Sequence, residues 1–118
     1  MKLVLEQEEK AMYRCWMRGH KGNYIAYGEY SEGIMTIKAG SKIASQVSKT
    51  ARLIDAAKRA RAQLDLYDDD FVLLKDIAFE SASTAAQFVR GNIINGNRCW
   101  KIEGTKICLG DALKGENS

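Results

Sequence analysis

The chain has 118 residues, which fits one domain, and its 46% hydrophobic and 28% charged residues are the balance of a globular protein rather than a disordered one. Its net charge of +3 is lower than a dedicated polyanion binder carries. No segment approaches the roughly 20 apolar residues of a membrane span, and the N-terminal apolar run is too short for a signal peptide, so we expect a cytoplasmic protein without a membrane partner.

The first third of the chain predicts a small antiparallel β-meander over residues 10–38. The segments KAMYRCWMRG, NYIAYGEY and GIMTIKA are rich in strand-forming residues, and the turns HKGN and SEG separate them. In the third segment Ile34, Thr36 and Lys38 share one face, while Met35 and Ile37 share the other. Both faces carry apolar residues, so this strand is expected to be buried or central.

A helix is predicted from Ser48 to Leu64. An apolar stripe recurs at helical spacing, and basic residues cover the opposite surface against the single acid Asp55. The stripe is Leu53, Ala57, Ala60 and Leu64, and the basic surface is Lys49, Arg52, Lys58, Arg59 and Arg61. An acidic turn, DLYDDD, ends this helix, and the segment FVLLKDIAF that follows is either a strand or an irregular buried stretch.

A second helix is predicted for the segment SASTAAQFVRG. Ser81 or Ser83 can cap its N-terminus and Gly91 suits its C-terminal cap, while alanines and Val89 form the buried stripe. The connection NIINGN then contains an Asn-Gly turn, and the segment CWKI-EGT-KICL is predicted to be a hairpin followed by a short polar tail. We therefore expect an α+β fold, with a small antiparallel sheet packed with two helices in a single domain over residues 1–118.

The start of the second helix and the loop after it each allow two interpretations. Hydroxyls at a helix start satisfy free N–H groups, but the same N–H groups also suit a phosphate. Asn95 and Gly96 fit a turn that needs positive φ, and Trp100 is either a core residue or a platform for a ligand. Nearby Arg90, Arg98 and Lys101 add positive charge, which makes an anion-binding face one of the alternatives.

The order and spacing of these residues resemble a known family, the domain of unknown function 4357. The matching residues of this second half are Phe79, Ser81, Ser83, Ala85, Ala86, Gly91, Asn95, Gly96, Trp100 and Lys101. Upstream, Ala26-x-Gly28, Gly33-Ile34, Ile37 to Ser41 and Arg52-Leu53-Ile54 extend the resemblance, which covers about residues 24–113. The same core is also similar to the domain associated with restriction enzymes and adenine methylases.

The resemblance implies a role linked to DNA. Domains of this kind often follow a GIY-YIG nuclease domain or occur in restriction-modification systems, which implies binding of DNA and the sensing of a modified base. It does not imply catalysis.

The residues themselves offer little for catalysis or metal binding. Tyr24 and Tyr27 are too close together for a GIY-YIG nuclease and are interpreted as strand positions that pack against a helix. His20 and the three cysteines are scattered without the spacing of zinc ligands, and the acidic run 68–70 lacks the pattern of a calcium loop. We therefore expect free thiols, no metal, no cofactor and no enzymatic activity.

Two functional hypotheses follow from the sequence. The first is a non-catalytic module that binds nucleic acid, with DNA as the expected partner, and that senses modified bases in a nuclease or restriction-modification context. The alternative is an interaction or regulatory module that serves a separate nuclease or methylase. The expected nucleic-acid contacts are Arg52, Lys58, Arg59, Arg61, Ser81, Ser83, Arg90, Asn95, Trp100 and Lys101.

Overall fold

A computed structural model describes residues 12–19, 22–46, 54–92 and 100–116, except for the side chains of residues 115 and 116. Its strands are β1 (Tyr13–Arg18), β2 (Ile25–Ser31), β3 (Ile34–Ile37), β4 (Ile77–Phe79) and β5 (Lys101–Ile102). Its helices are α1 (Asp55–Ala62), α2 (Ala82–Arg90) and α3 (Leu109–Glu116), with a 3-10 turn at Leu64–Leu66. None of the helices in these ranges has the length and apolar character needed to cross a bilayer.

The five strands form one antiparallel sheet in the order β4-β3-β2-β1-β5. The predicted meander is therefore confirmed, and β3 is a central strand as its two apolar faces indicated. Together with the helices the sheet makes a single α+β domain, which confirms the predicted fold class.

One face of the sheet packs on α2 and forms the core. Cys15 on β1 lies opposite Gly28 on β2, and Met17 lies opposite Ala26, so the buried side chains of neighbouring strands are in register. The same face continues through Met35, which pairs with Phe79 on β4. The ring of Phe79 then contacts that of Phe88 on α2, with 5.3 Å between the centroids.

Gly28 is required by the close approach of its neighbours. A Cβ atom at this position would lie 2.7 Å from the sulfur of Met35 and 3.5 Å from the indole ring of Trp100. Since a Cβ atom is essentially never found so close to another heavy atom, the buried side chain of Met35 would have to shift to admit a residue larger than glycine.

Helix α2 forms as the sequence predicts. Ser81 caps it by accepting a hydrogen bond from the N–H of Thr84, and Gly91 ends it in the left-handed conformation with φ of 73°. Seven of its nine residues are buried, so the small residues let the helix lie against the sheet.

Helix α1 begins at Asp55, and residues 48–53 of the predicted helix lie outside the described residues. Ala57 and Ala60 are buried as expected. The prediction for Leu64 is wrong, because the helix ends at Ala62 and an extended Gln63 breaks the helical period, which leaves Leu64 74% exposed.

Both ends of α1 are tied to α2. The side-chain amide oxygen of Gln87 accepts a hydrogen bond of 2.8 Å from the N–H of Ile54, just before α1 begins. Arg61, in the last turn of α1, donates to carbonyls at the end of α2. The two helices are therefore fixed to each other by polar contacts as well as by their alanines.

The C-terminal part differs from the prediction in one respect. The predicted hairpin is present in reduced form, since Ile102 N–H donates to Ile107 O and Leu109 N–H donates to Trp100 O. Its first strand, β5, also pairs with β1. The predicted polar tail is wrong, because residues 110–116 belong to α3, which begins at Leu109, the last residue of the predicted hairpin, and this leucine is fully buried in the core.

The segment between α1 and α2 is irregular for most of its length. Val72 and Leu73 make only isolated bridges, and the regular strand β4 is confined to Ile77–Phe79. Of the two alternatives that the sequence left open for this segment, the structure shows an irregular stretch that ends in a short strand.

Candidate nucleic-acid interface

The side of the sheet opposite to α2 carries a different set of side chains, which we call the open face. Strand alternation and register place these residues on it: Arg14, Trp16, Arg18, Ile25, Tyr27, Glu29, Ile34, Thr36, Lys38, Ala78 and Lys101. Tyr27 is 54% exposed and Ile34 is 45% exposed, so solvent reaches large side chains here. The face therefore presents aromatic and basic groups together.

Trp16 and Tyr27 form the centre of the open face. They are direct partners across β1 and β2, and Lys101 on β5 is the partner of Trp16 on its other side. The indole N–H of Trp16 donates to the backbone carbonyl of Thr105 over 3.3 Å, in the turn that follows β5. This bond fixes the edge of the indole ring and satisfies its only polar group.

Basic residues lie beside this aromatic pair. Arg14 and Arg18 are exposed and flank Trp16 at two residues on either side along β1, on the same face. A hollow of about 270 Å³ opens next to Tyr27, and Arg14, Glu29, Lys38 and Glu103 are among its lining residues. A second, wider hollow of about 500 Å³ lies against Trp16, the Gly104–Thr105 turn and Lys106.

The charge of Lys38 is compensated within the fold. Its ammonium group lies 2.8 Å from a carboxylate oxygen of Asp76 and 3.8 Å from one of Glu29. The hydrogen bond with Asp76 raises the pKa of Lys38, and the same bond, with a second one from the N–H of Ala39, lowers the pKa of Asp76. The positive side of the open face is therefore the β1–β5 side, with Arg14, Arg18 and Lys101.

The basic surface predicted on α1 is present only in part. Lys58 and Arg59 are exposed, which leaves both side chains accessible to a phosphate. Arg52 was also expected to contribute, but it lies outside the described residues.

Arg61 serves the fold instead. Its guanidinium donates to Ala44 O over 2.6 Å, to Phe88 O over 2.7 Å and to Val89 O over 3.0 Å, and it lies over the ring of Phe88. Burial lowers the pKa of Arg61 to about 10, which still leaves it protonated near neutral pH. With three donors committed to carbonyls, it is a poorer candidate for a phosphate than its exposed neighbours.

The two predicted contact groups on α2 lie at opposite ends of the helix. The hydroxyl of Ser81 accepts from Thr84 N–H over 3.0 Å and lies 2.8 Å from the Thr84 hydroxyl, so it acts as the cap, and Ser83 is half-buried in the first turn. Arg90 is at the other end, with its guanidinium over the ring of Tyr24. A rise of 1.5 Å per residue puts these ends about 12 Å apart, so they do not form one anion site.

Trp100 is a core residue. It is fully buried, and its indole N–H donates to Ala82 O over 3.1 Å, which links β5 to the start of α2. No face of this ring is available to a base, which favours the core alternative. Asn95, the other expected contact in this region, lies outside the described residues, whereas Lys101 lies on the open face.

Sequence reasoning missed the residues at the centre of the open face. Tyr24 is buried as expected, but the interpretation that Tyr27 packs against a helix is wrong because its side chain points to the open face. The alternation of YRCWMR, with Arg14, Trp16 and Arg18 at every second position, is the pattern that could have indicated this face.

The other groups considered for chemistry have structural roles where the structure describes them. Asp68 accepts hydrogen bonds from the N–H groups of Asp70 and Val72, so it shapes the acidic turn. Within residues 12–19, 22–46, 54–92 and 100–116, no group of three or more His, Cys, Asp or Glu side chains is arranged to hold a metal ion. Cys15 is buried, and this burial raises the pKa of its thiol to about 12.

The family model described as a domain of unknown function, DUF4357, matches residues 17–108. The chain belongs to the DUF4357 family. This match confirms the family that the sequence resemblance indicated. The matched part of this DUF4357 domain includes Arg18, Tyr27 and Lys101, while Arg14 and Trp16 directly precede it in β1. No curated protein and no solved structure matches the chain.

Proposed function

We propose that this DUF4357 domain is a non-catalytic module that binds nucleic acid, with DNA as its partner. The observation that carries the proposal is the open face, where Arg14, Arg18 and Lys101 lie beside a half-buried Trp16 and an exposed Tyr27. Basic side chains bind phosphates by releasing condensed counterions, and aromatic rings bind the faces of bases, so this combination matches both parts of a nucleotide.

The outer surface of α1 is a second source of phosphate contacts. Lys58 and Arg59 are exposed there, and the predicted contact Arg52 precedes the described part of α1 in the chain. This surface has no exposed aromatic residue among its described members, so it offers charge without a platform for bases. We therefore assign it a supporting role in long-range attraction rather than the main contact.

The proposal contains no catalytic step. The thiol of Cys15 is buried and its pKa is raised, which disfavours the thiolate that a nucleophilic cysteine needs. The domain would instead deliver nucleic acid to a separate nuclease or methylase, and Asn95 would contact a modified base in that context. This context comes from the resemblance of the sequence to accessory domains of such systems.

Fluorescence anisotropy with labelled DNA tests the proposed function. We expect binding to DNA that weakens by at least several-fold between about 50 and 200 mM salt, because each bound phosphate releases counterions. Adenine-methylated and unmodified DNA are compared with the native chain and with Asn95→Ala, which is expected to remove any preference for the methylated form. Absence of binding to every DNA form at low salt, or affinity that does not change with salt, would contradict the proposal.

A second candidate function is an interaction module for a protein partner. Leu64 is 74% exposed and Leu74 is 59% exposed, and a hydrogen bond of 2.8 Å from Leu74 N–H to Leu66 O brings their segments together. Exposed apolar side chains that lie close together are typical of protein contact surfaces. This candidate predicts that Leu64→Ser and Leu74→Ser abolish co-purification of a partner while leaving DNA binding unchanged.

A further inference from the structure

We propose that Trp16 and Tyr27 form a stacking platform, and that the ligand of the open face is therefore single-stranded nucleic acid. The inference rests on the proposed function, because it names the class of nucleic acid and the residues that read it. It differs from that proposal in requiring contact with the faces of unpaired bases.

The position of the two rings supports stacking. Trp16 and Tyr27 are direct partners on neighbouring antiparallel strands, where opposite Cβ atoms are about 5 Å apart. Both side chains project from the same side of the sheet, and Tyr27 is 54% exposed. Two neighbouring rings on a solvent-exposed sheet surface can each take one base of a continuous strand.

The ring of Trp16 is held in place before any ligand binds. Its N–H already donates to Thr105 O, so the half-buried indole has no unsatisfied polar group, and a ligand can contact it only through the carbon atoms of its ring. A ring that is already oriented loses little side-chain entropy when a base stacks on it. Stacking also tolerates every base, because each base has a π-face.

Positive charges lie where a phosphate backbone would pass. Arg14 and Arg18 are four residues apart on β1, which is about 13 Å along an extended strand, and Trp16 lies between them. Lys101, on β5, is the cross-strand neighbour of Trp16 on the side away from Tyr27. A single strand that stacks on the two rings therefore has a cation on each side for its phosphates.

Double-stranded nucleic acid fits this surface poorly. In a duplex the faces of the bases are covered by their neighbours and only their edges are accessible in the grooves. Five strands with spacings of about 4.8 Å are roughly 19 Å across, whereas the major groove is about 12 Å wide and admits a two-stranded ribbon. The geometry thus favours unpaired bases over groove binding.

The first experiment compares the binding of labelled oligo(dT), oligo(rU) and a hairpin duplex to the native chain and to Tyr27 variants. We expect tighter binding of single strands than of duplex, and a loss of about 5- to 150-fold in Tyr27→Ala, because one stacking contact is removed. Tyr27→Phe retains the ring and is expected to bind within about twofold of the native chain. Leu74→Ala is the matched control, since it truncates an exposed apolar side chain that is not among the open-face residues.

The second experiment uses the fluorescence of the two tryptophans. Trp100 is fully buried, so oligo(dT) should quench only Trp16. The Trp16→Phe variant keeps an aromatic ring at the platform, so we expect oligo(dT) binding by anisotropy with no quenching of the remaining tryptophan. Thermal unfolding of each variant verifies that it is folded under the binding conditions.

The outcomes separate this inference from the proposed function. Salt-sensitive DNA binding that is unchanged in Tyr27→Ala, or duplex bound more tightly than single strands, overturns the platform and leaves the proposed function standing. Absence of binding to any nucleic acid overturns both. Loss of self-association in Tyr27→Ala, without any effect on oligonucleotide binding, assigns the open face to a second copy of the chain and also overturns the inference.

Discussion

Replacing Arg61 with methionine tests whether this arginine stabilises the fold or binds a phosphate. The sequence places Arg61 on the basic surface of α1, whereas in the structure its guanidinium donates to Ala44 O, Phe88 O and Val89 O. Methionine keeps an unbranched apolar chain over the ring of Phe88 but removes every donor. The variant therefore isolates the contribution of the guanidinium.

The expected cost follows from the carbonyls that lose a donor. Val89 O keeps a hydrogen bond of 2.7 Å from the N–H of Ala44, so removing the Arg61 donor from this carbonyl costs little stability. Phe88 O and Ala44 O, in contrast, each lose a charged donor. An unsatisfied buried polar group costs about 1–3 kcal/mol, and partial access of water to this half-buried site favours the lower half of that range. We expect Arg61→Met to lower the free energy of unfolding by about 2–4 kcal/mol and Tm by roughly 8–15 °C.

Equilibrium urea unfolding, followed by circular dichroism, measures this difference. The matched control is Arg59→Met, which removes the same charge from the same helix at an exposed position and is expected to change stability by less than about 0.5 kcal/mol. If the two variants are equally stable, and only Arg61→Met loses affinity for DNA, then Arg61 binds phosphate and its structural role is refuted.

Four further expectations rest on individual contacts. Ser81→Ala is expected to lower the unfolding free energy by about 1 kcal/mol in urea because α2 loses its cap, whereas Ser81→Asp retains a cap. Cys15 should resist thiol reagents near pH 8 in the folded chain and react after unfolding, because burial raises the pKa of its thiol to about 12. Asp76→Asn should weaken the dependence of stability on acidic pH. Hydrogen bonds from Lys38 and a backbone N–H lower the pKa of Asp76, so its contribution is present above the unfolded value of 3.8 and is lost as pH falls through the lowered folded value. Gly28→Ala should lower the free energy of unfolding in urea by about 1–3 kcal/mol, since the added Cβ would lie 2.7 Å from the sulfur of Met35.

Each of these expectations has a result that would contradict it. Ser81→Ala as stable as the native chain would show that α2 does not depend on its cap. Labelling of Cys15 at the rate of an exposed thiol, or identical acid titrations of the native chain and Asp76→Asn, would contradict the two pKa arguments. Gly28→Ala with native stability would mean that the core relaxes around the added methyl group.

Helix α2 could be predicted from the sequence because its determinants are local. Ser81 or Ser83 indicates its start and Gly91 its end, and the alanines between them indicate the buried side; the structure shows Ser81 as the cap. The end of α1 is a different case, because Leu64 continues an apolar period that the extended Gln63 interrupts. A period alone cannot show where the backbone leaves the helix.

The open face could not be recognised from the sequence because strand alternation shows two faces without showing which one is covered. On β1, Cys15 and Met17 are buried in the core, whereas Trp16, on the other side of the strand, is a large aromatic residue that lies on the open face. The two tryptophans illustrate the difficulty: the sequence allows Trp100 to be a platform for a ligand, but its side chain is fully buried in the core. The distinction depends on packing between elements that are distant in sequence.

The dependence of oligo(dT) affinity on salt, measured with two double variants, tests the central claim most directly. Contacts from Arg14, Arg18 and Lys101 predict a slope of log affinity against log salt of about −2, since each phosphate contact to a single strand contributes about −0.7. That slope corresponds to roughly 20-fold weaker binding between 50 and 200 mM salt. Removing both open-face arginines with Arg14→Gln and Arg18→Gln should bring the slope to about −0.7.

The matched variant removes two charges from α1 with Lys58→Gln and Arg59→Gln and should leave the slope close to that of the native chain. A slope near −0.7 in the open-face double variant, together with a native slope in the α1 double variant, would place the nucleic acid on the open face. A native slope near zero, or the same loss of slope in both double variants, would contradict the account.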